Sequence, residues 1–290
     1  MKPGRLLATM TGVLGFRIEN RMTRIINMIC RGALTALLAC TFAAQAADSV
    51  YTEELTWVEV RDALKAGKTT IIFPTGGTEQ NGPHMVLGKH NFIVKYTAEQ
   101  IARRLGNALV APVLAYVPEG DINPPTGHML FPGTITLPDE IFMKITEYAA
   151  RSFRVNGFKD IALIGDSGPN QKGLQAVAAM LNKEWAGSDV RVHYVPDYYY
   201  QHGFTDWLKR QGESADAIGT HAGIEDTSEL MAINPSLIRK DKLTPGGDFK
   251  VTGVAGNPAR ASVAYGKQGL ELKITAAVAQ IQKLIAASRR

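Results

Sequence analysis

The sequence predicts an α/β fold: a three-layer α/β/α sandwich on a mainly parallel sheet. Three observations carry this. Short runs at 69–73, 108–116, 160–164 and 190–195 are almost wholly apolar, and they alternate with longer stretches of helical periodicity. Continuous apolarity, in place of in–out alternation, marks strands covered on both faces. The first three runs are each followed by a polar loop, the arrangement of a site at the carboxyl edge of a parallel sheet.

The elements follow in order. Thr56 caps a short helix reaching Ala66, with Trp57, Val60 and Leu64 on one face and Gly67 closing it. The first strand leads into 74–90, PTGGTEQNGPHMVLGKH. Asn91 is read as the cap of a helix to Leu105, with Ile93, Tyr96, Ile101 and Leu105 in its stripe and Gly106 as its stop. The second strand runs to Tyr116, and a loop at 118–132 carries Glu119, Asp121 and His128. Pro138 opens a helix to Asn156, with Gly157 beyond its end. The third strand ends in Gly165-Asp166-Ser167-Gly168-Pro169-Asn170, and a helix follows to Trp185. After the fourth strand come a tyrosine-rich turn at 197–201, a short helix at 205–211 and the segment 220–228, THAGIEDTS. Residues 244–258 are rich in Gly and Pro, and a last helix spans 260–287 with a break expected near Gly266 and Gly269.

The domain reading is a leader over 1–46 and one α/β domain over 47–290. The leader holds six basic residues and one acid, which leaves 26 of each sign in the rest. The formal charge of +5 therefore belongs to the leader, and no nucleic-acid partner is implied. An apolar run at 33–42 precedes Ala44-Gln45-Ala46, a small-x-small pattern that places cleavage after Ala46. The run is too short for a stable span, so the mature chain is expected in the periplasm or secreted. Met22 or Met28 is an alternative start, and the sequence before Cys40 faintly resembles a lipidation site. Both cysteines, Cys30 and Cys40, lie in the leader, so thiolate is absent from the mature chemistry.

Carboxylates and imidazoles without cysteine point to a divalent metal, with Glu79, His90, Asp166 and Asp226 as candidate ligands. These are scattered in sequence, with no short ligand pair of the HExxH kind. Gly165-Asp166-Ser167-Gly168 also looks like a nucleophile box, with His90, His128 or His221 available as base. The plainer alternative makes Asp166 a helix cap. Tyr198, Tyr199 and Tyr200 are candidate pocket walls, and His193 and His202 read as structural or exposed.

Five collinear segments resemble the creatininase (creatinine amidohydrolase) family. Gly76-Gly77-Thr78-Glu79-Gln80-Asn81-Gly82-Pro83-His84 is similar to the family's GSTEQHGPH signature, and Phe131-Pro132-Gly133-Thr134-Ile135 to its fPGTi segment. Asn156-Gly157-Phe158 with 161–170 resembles hGF…NGHGGN, and 221–228 resembles HAGxxETS. Gly253-Val254-Ala255-Gly256-Asn257-Pro258 with Ala261-Ser262 resembles the closing GVxGdP…AS. The resemblance covers about 53–285. It implies a creatininase-like fold, hydrolysis of a non-peptide or cyclic amide by a metal-activated water, a small-molecule substrate, and a homo-oligomer, often a hexamer.

Of the family's two-metal ligand positions, this chain keeps the glutamate as Glu79 and has Asn81, His90, Ser167 and Asp226 at the others. Imidazole cannot bridge two ions as a carboxylate does. The expectation is therefore one zinc or manganese ion on Glu79, His90 and either Asp166 or Asp226. Glu79, Asp166 and His221 would be the catalytic proton carriers. Asn81, His84, His128 and Ser167 would contact the substrate. Two alternatives stand beside this: a binding protein on the same scaffold with a degraded metal site, and a serine hydrolase using Ser167.

Overall fold

Four strands pair in the order β2–β1–β3–β4, all parallel. They are β1 (Thr70–Thr75), β2 (Ala108–Val110), β3 (Asp160–Gly165) and β4 (Arg191–Tyr194). In this computed structural model the described residues are 49–289. The leader reading, with its cleavage point and both cysteines, lies outside them.

Thr70 pairs with Ala108 on one side and Asp160 on the other, and Thr75 pairs with Gly165. Every residue of β1 and β3 is buried, as the unbroken apolar runs require. Alternate side chains feed two cores. Ile72, Val110, Ala162 and Ile164 face helices α2 (Lys89–Leu105), α6 (Ile224–Ile233) and α7 (Val263–Ser288), meeting Ile93, Ile101, Leu230 and Ile274. Ile71, Phe73, Leu109, Ile161 and Leu163 face α3 (Asp139–Asn156) and α4 (Asn170–Glu184), meeting Phe142, Leu174 and Leu181. Helices on both faces of a parallel sheet make the α/β/α sandwich.

Local chemistry sets the helix ends. Thr56 and Glu59 form a reciprocal capping box on α1 (Trp57–Lys65). Gly106 and Gly157 close α2 and α3 in the left-handed conformation at φ 76° and 103°. Four expectations need correction. Trp57 is 74% exposed, with the Arg61 guanidinium over its ring, so it is not on the packed face of α1. The second strand stops at Val110, although Leu114 still bridges Thr75. Asn91 does not cap α2. Gly88 holds that position, and Asn91 Oδ1 accepts from Gly77 N–H at 3.0 Å, pinning the first polar loop to the helix.

The last correction concerns α7, which runs unbroken through Gly266 and Gly269. A Cβ at Gly266 would lie 1.8 Å from the Ser228 carbonyl oxygen, and one at Gly269 would lie 2.3 Å from Phe204, on α5 (Phe204–Arg210). These glycines let elements touch, so they are packing devices and not breaks. No helix among the described residues is long and apolar enough to cross a membrane. The chain passes from β1 to β2 on one side, then returns to β3 on the other. The crevice above β1 and β3 is thus the topological switch point, and the loops after both strands open there.

Candidate metal centre

A cavity of about 460 Å³ lies at that edge, lined by Glu79, Lys89, His90, His128, Ser167, Tyr199, His221, Asp226 and Phe249 among others. The loop after β1 supplies Glu79 and ends in Lys89 and His90 on the first turn of α2. The loop after β3 supplies Ser167. Asn170 ties the two loops together: its Nδ2 donates to the Gly76 carbonyl at 2.8 Å and to Thr75 Oγ1 at 3.0 Å.

Glu79 is 1% exposed and is the hub. His90 Nε2 lies 2.9 Å from its Oε1, Lys89 Nζ 3.3 Å from Oε1, His128 Nε2 3.1 Å from Oε2 and His221 Nδ1 3.6 Å from Oε1. Burial pushes the Glu79 carboxyl up, but His90 and Lys89 outweigh burial and hold it well below the usual carboxylate range. His90 stands between two carboxylates, because its Nδ1 lies 2.8 Å from Asp166 Oδ2. Burial and Lys89 depress the His90 imidazolium, yet Glu79 and Asp166 together raise its pKa above the ordinary histidine value. Asp166 Oδ1 accepts from the Tyr198 hydroxyl at 2.9 Å and from Lys273 Nζ at 3.1 Å, and Lys273 reaches Glu229 at 2.8 Å.

Lys89 is 1% exposed, and its Nζ also lies 3.1 Å from Asp226 Oδ2. Burial disfavours its charge, but Asp226 and Glu79 outweigh burial and keep it an ammonium. Asp226 Oδ2 further accepts from the Ala222 N–H at 2.7 Å. Ala222 takes φ 53°, the one positive φ of a non-glycine among the described residues, which turns the chain into α6.

The side chains of the expected ligand set are held by other partners. Both nitrogens of His90 are spent on carboxylates lying on opposite sides of its ring, and Asp226 is held by an ammonium and an amide. Among the described residues the group whose donor atoms converge is Glu79, His128 and His221, all within 4.8 Å of one another. His221 Nε2 lies 2.9 Å from the Gln80 carbonyl, which can only accept. The proton therefore sits on Nε2, and the Nδ1 lone pair is left for an ion. Burial pushes His221 down to about 4 and lowers His128 as well, so both imidazoles are neutral at pH 7, as ligation requires. One carboxylate and two neutral imidazoles fit a divalent ion such as zinc. The Gln80 side-chain amide donates to His128 Nδ1 at 3.1 Å, and its nitrogen packs 3.2 Å from the protonated His221 Nε2. Gly253 makes room for it, since a Cβ there would lie 2.0 Å from Gln80 Oε1.

The other predicted residues divide. His128, Ser167 and His221 line the cavity. Asn81 does not: it is buried, and its Nδ2 donates to the Glu79 and Val86 carbonyls at 2.9 and 3.2 Å, so it braces its own loop. His84 is fully buried against Thr227 Oγ1 at 3.0 Å and does not line the cavity. Asp166 stands behind His90. Four buried residues were not foreseen at the site: Lys89, Gln80, Lys273 and Glu229. Glu119, noted only as part of its loop, is 1% exposed beside Glu79 and Ser167. Burial first, and the Glu79 carboxylate second, push its carboxyl up to about 10, so it is a neutral acid at pH 7.

A parallel sheet covered on both faces, with a carboxylate and two imidazoles gathered at its carboxyl edge, defines an α/β protein with a metal-type centre. The sequence profile of the creatininase (creatinine amidohydrolase) family matches residues 53–281, and the chain belongs to that family. The 3-dehydro-scyllo-inosose hydrolase of Thermotoga maritima is 26% identical over 203 residues, which cover 66% of this chain and 58% of that one, so the match spans little more than half of that relative. The creatinine amidohydrolase of Pseudomonas putida is 25% identical over 211 residues, 67% of this chain and 76% of the relative. A solved manganese form of creatininase superposes with a TM-score of 0.66 at 24% identity, covering 82% of this chain and 99% of that one, a likeness of fold.

Proposed function

We propose that the chain hydrolyses a small amide or cyclic amide with one divalent ion, zinc or manganese, held by Glu79, His128 and His221. The observation that carries this is the convergence of those donors on the wall of a 460 Å³ cavity. That volume lies in the range of small-ligand pockets. The hydrolase names of the relatives, creatinine amidohydrolase among them, support the reaction class.

A bound divalent ion would supply Lewis acidity to the carbonyl and make water a better nucleophile at neutral pH. The chain's own groups do the rest. Tyr199 and Phe249 give the cavity apolar walls for a flat amide. The Ser167 hydroxyl lines the same cavity with the neutral Glu119 beside it. This pair is able to hold a proton and pass it to the leaving nitrogen. Asp166 acts through His90, fixing its ring against Glu79.

A serine route is disfavoured in this reading, because His128 and His221 would serve the ion and both nitrogens of His90 face carboxylates. Intact-mass analysis during turnover tests this, and an adduct on Ser167 would restore it. A second reading, a binding protein on this scaffold, has one specific observation in its favour: Lys89 and His90 already balance the charge of Glu79. Metal analysis combined with a panel of small amides and lactams separates the two. Near-stoichiometric zinc or manganese with turnover supports the enzyme, and no bound metal after reconstitution removes it. The leader pattern supports export to the periplasm or beyond, tested by N-terminal sequencing of the exported product for a start at Ala47. Light scattering tests the homo-oligomer that the family resemblance suggests.

A further inference from the structure

A second divalent ion beside the first would need to share Glu79 and find donors of its own. The groups within reach are already spent. Asp226 accepts from Lys89 Nζ at 3.1 Å and from the Ala222 N–H at 2.7 Å. His90 has both nitrogens on carboxylates. Asn81 turns its amide nitrogen onto backbone carbonyls. Between Glu79 and Asp226 stands the Lys89 ammonium, 1% exposed on the cavity floor and within 3.3 Å of both carboxylates. A lysine buried to this degree keeps its charge only where fixed anions hold it, and here two do.

We propose that Lys89 is a built-in cation that holds the Glu79–Asp226 position against a second divalent ion and limits the centre to one. This rests on the one-ion reading above and deepens it. The ammonium supplies a single positive charge, no empty coordination position and no Lewis acidity. It therefore balances the two carboxylates without offering water or substrate a place to bind. Position in the chain makes this possible. Lys89 opens α2 immediately before His90, and the first turn of that helix is fixed by the Asn91–Gly77 hydrogen bond. The ammonium is thereby carried to a preset point above β1.

The test is metal stoichiometry. Metal-depleted wild-type protein is titrated with Mn²⁺, freed of excess by gel filtration, and read by elemental analysis and electron paramagnetic resonance. The expected result is one ion per chain with an uncoupled spectrum even at excess metal. Lys89→Gln frees both carboxylates and is expected to take two ions per chain, with the spectrum of an exchange-coupled pair. A coupled pair in the wild type overturns the inference, and this measurement needs no variant to fold. A folded Lys89→Gln protein that stays at the wild-type number also overturns it. No metal on the wild type would overturn the parent reading alone: the role of Lys89 then stands if the variant gains an ion that the wild type lacks, and falls if it does not.

Discussion

Replacing Lys273 by Met tests whether the charges behind the cavity form one unit. The Lys273 side chain is 8% exposed, and its Nζ lies 3.1 Å from Asp166 Oδ1 and 2.8 Å from Glu229 Oε2. Methionine keeps the apolar stem but leaves two buried carboxylates short of a counter-ion. Asp166 retains the His90 imidazole and the Tyr198 hydroxyl. Glu229 retains less, because its Oε1 already has no partner. Removing one partner from a buried ionic cluster costs about 3–5 kcal/mol. At about 2–4 °C per kcal/mol for a domain of this size, the melting temperature should fall by roughly 6–20 °C. Thermal melts at pH 8, where Glu229 of the wild type is ionised, measure this. The loss should shrink at pH 5.5, where Glu229 takes a proton and needs no counter-ion. The double variant Lys273→Met/Glu229→Gln should recover about half of the loss, since it removes one of the two stranded charges. A single-variant loss under about 1 kcal/mol, or a double variant no better than the single, would refute the reasoning, because exposed pairs behave that way.

Three further outcomes are expected. His128→Ala and His221→Ala should each weaken zinc binding by more than the about 10- to 100-fold that losing a supporting hydrogen bond costs; calorimetric titration reads this, and unchanged affinity would remove the Glu79–His128–His221 centre. Burial and then Asp166 outweigh Lys273 and raise the folded-state pKa of Glu229 from 4.5 to about 7, so the folded chain holds that proton more tightly than the unfolded chain. Its stabilising contribution is therefore full below pH 4.5 and lost as pH rises through about 7. The melting-temperature difference between Glu229→Gln and wild type should move in the variant's favour as pH rises from 5 to 8, and a movement the other way contradicts the sign. Gly266→Ala should raise helix propensity by about 1 kcal/mol, yet destabilise on balance by about 1–3 kcal/mol, because its Cβ would lie 1.8 Å from the Ser228 carbonyl; an unchanged urea midpoint would show that the helices can separate cheaply.

The sheet was legible because each strand is covered on both faces, and that condition writes itself as an unbroken apolar run. The convergence of three loops followed from parallel topology alone. Particular side chains were harder. Asn91 has the chemistry of a helix cap, but its oxygen is taken by a backbone amide 14 residues earlier, a long-range contact that local pattern does not encode. Gly266 and Gly269 read as breakers because glycine weakens helices, and their packing use depends on α5 and α6 lying alongside. Glu79, His128 and His221 were visible as polar groups in polar loops, but their convergence was not, since His128 and His221 are 93 positions apart in the chain. Lys89 and Lys273 are hidden in the sequence for the opposite reason. A lysine in a loop or on a helix normally faces water, and nothing in the neighbouring residues marks these two as interior.

Lys89 is fastened to the polypeptide, so the charge it brings to Glu79 and Asp226 has no dissociation constant of its own. Dilution does not remove it, and a chelator has nothing there to compete for. A pocket floor whose carboxylates depended on exchangeable ions would loosen whenever the surroundings ran short of them. This floor carries its neutralising charge through synthesis and folding. The loop from Gly76 to His90 can keep its shape in metal-poor surroundings, where only the exchangeable part of the centre is left to follow supply.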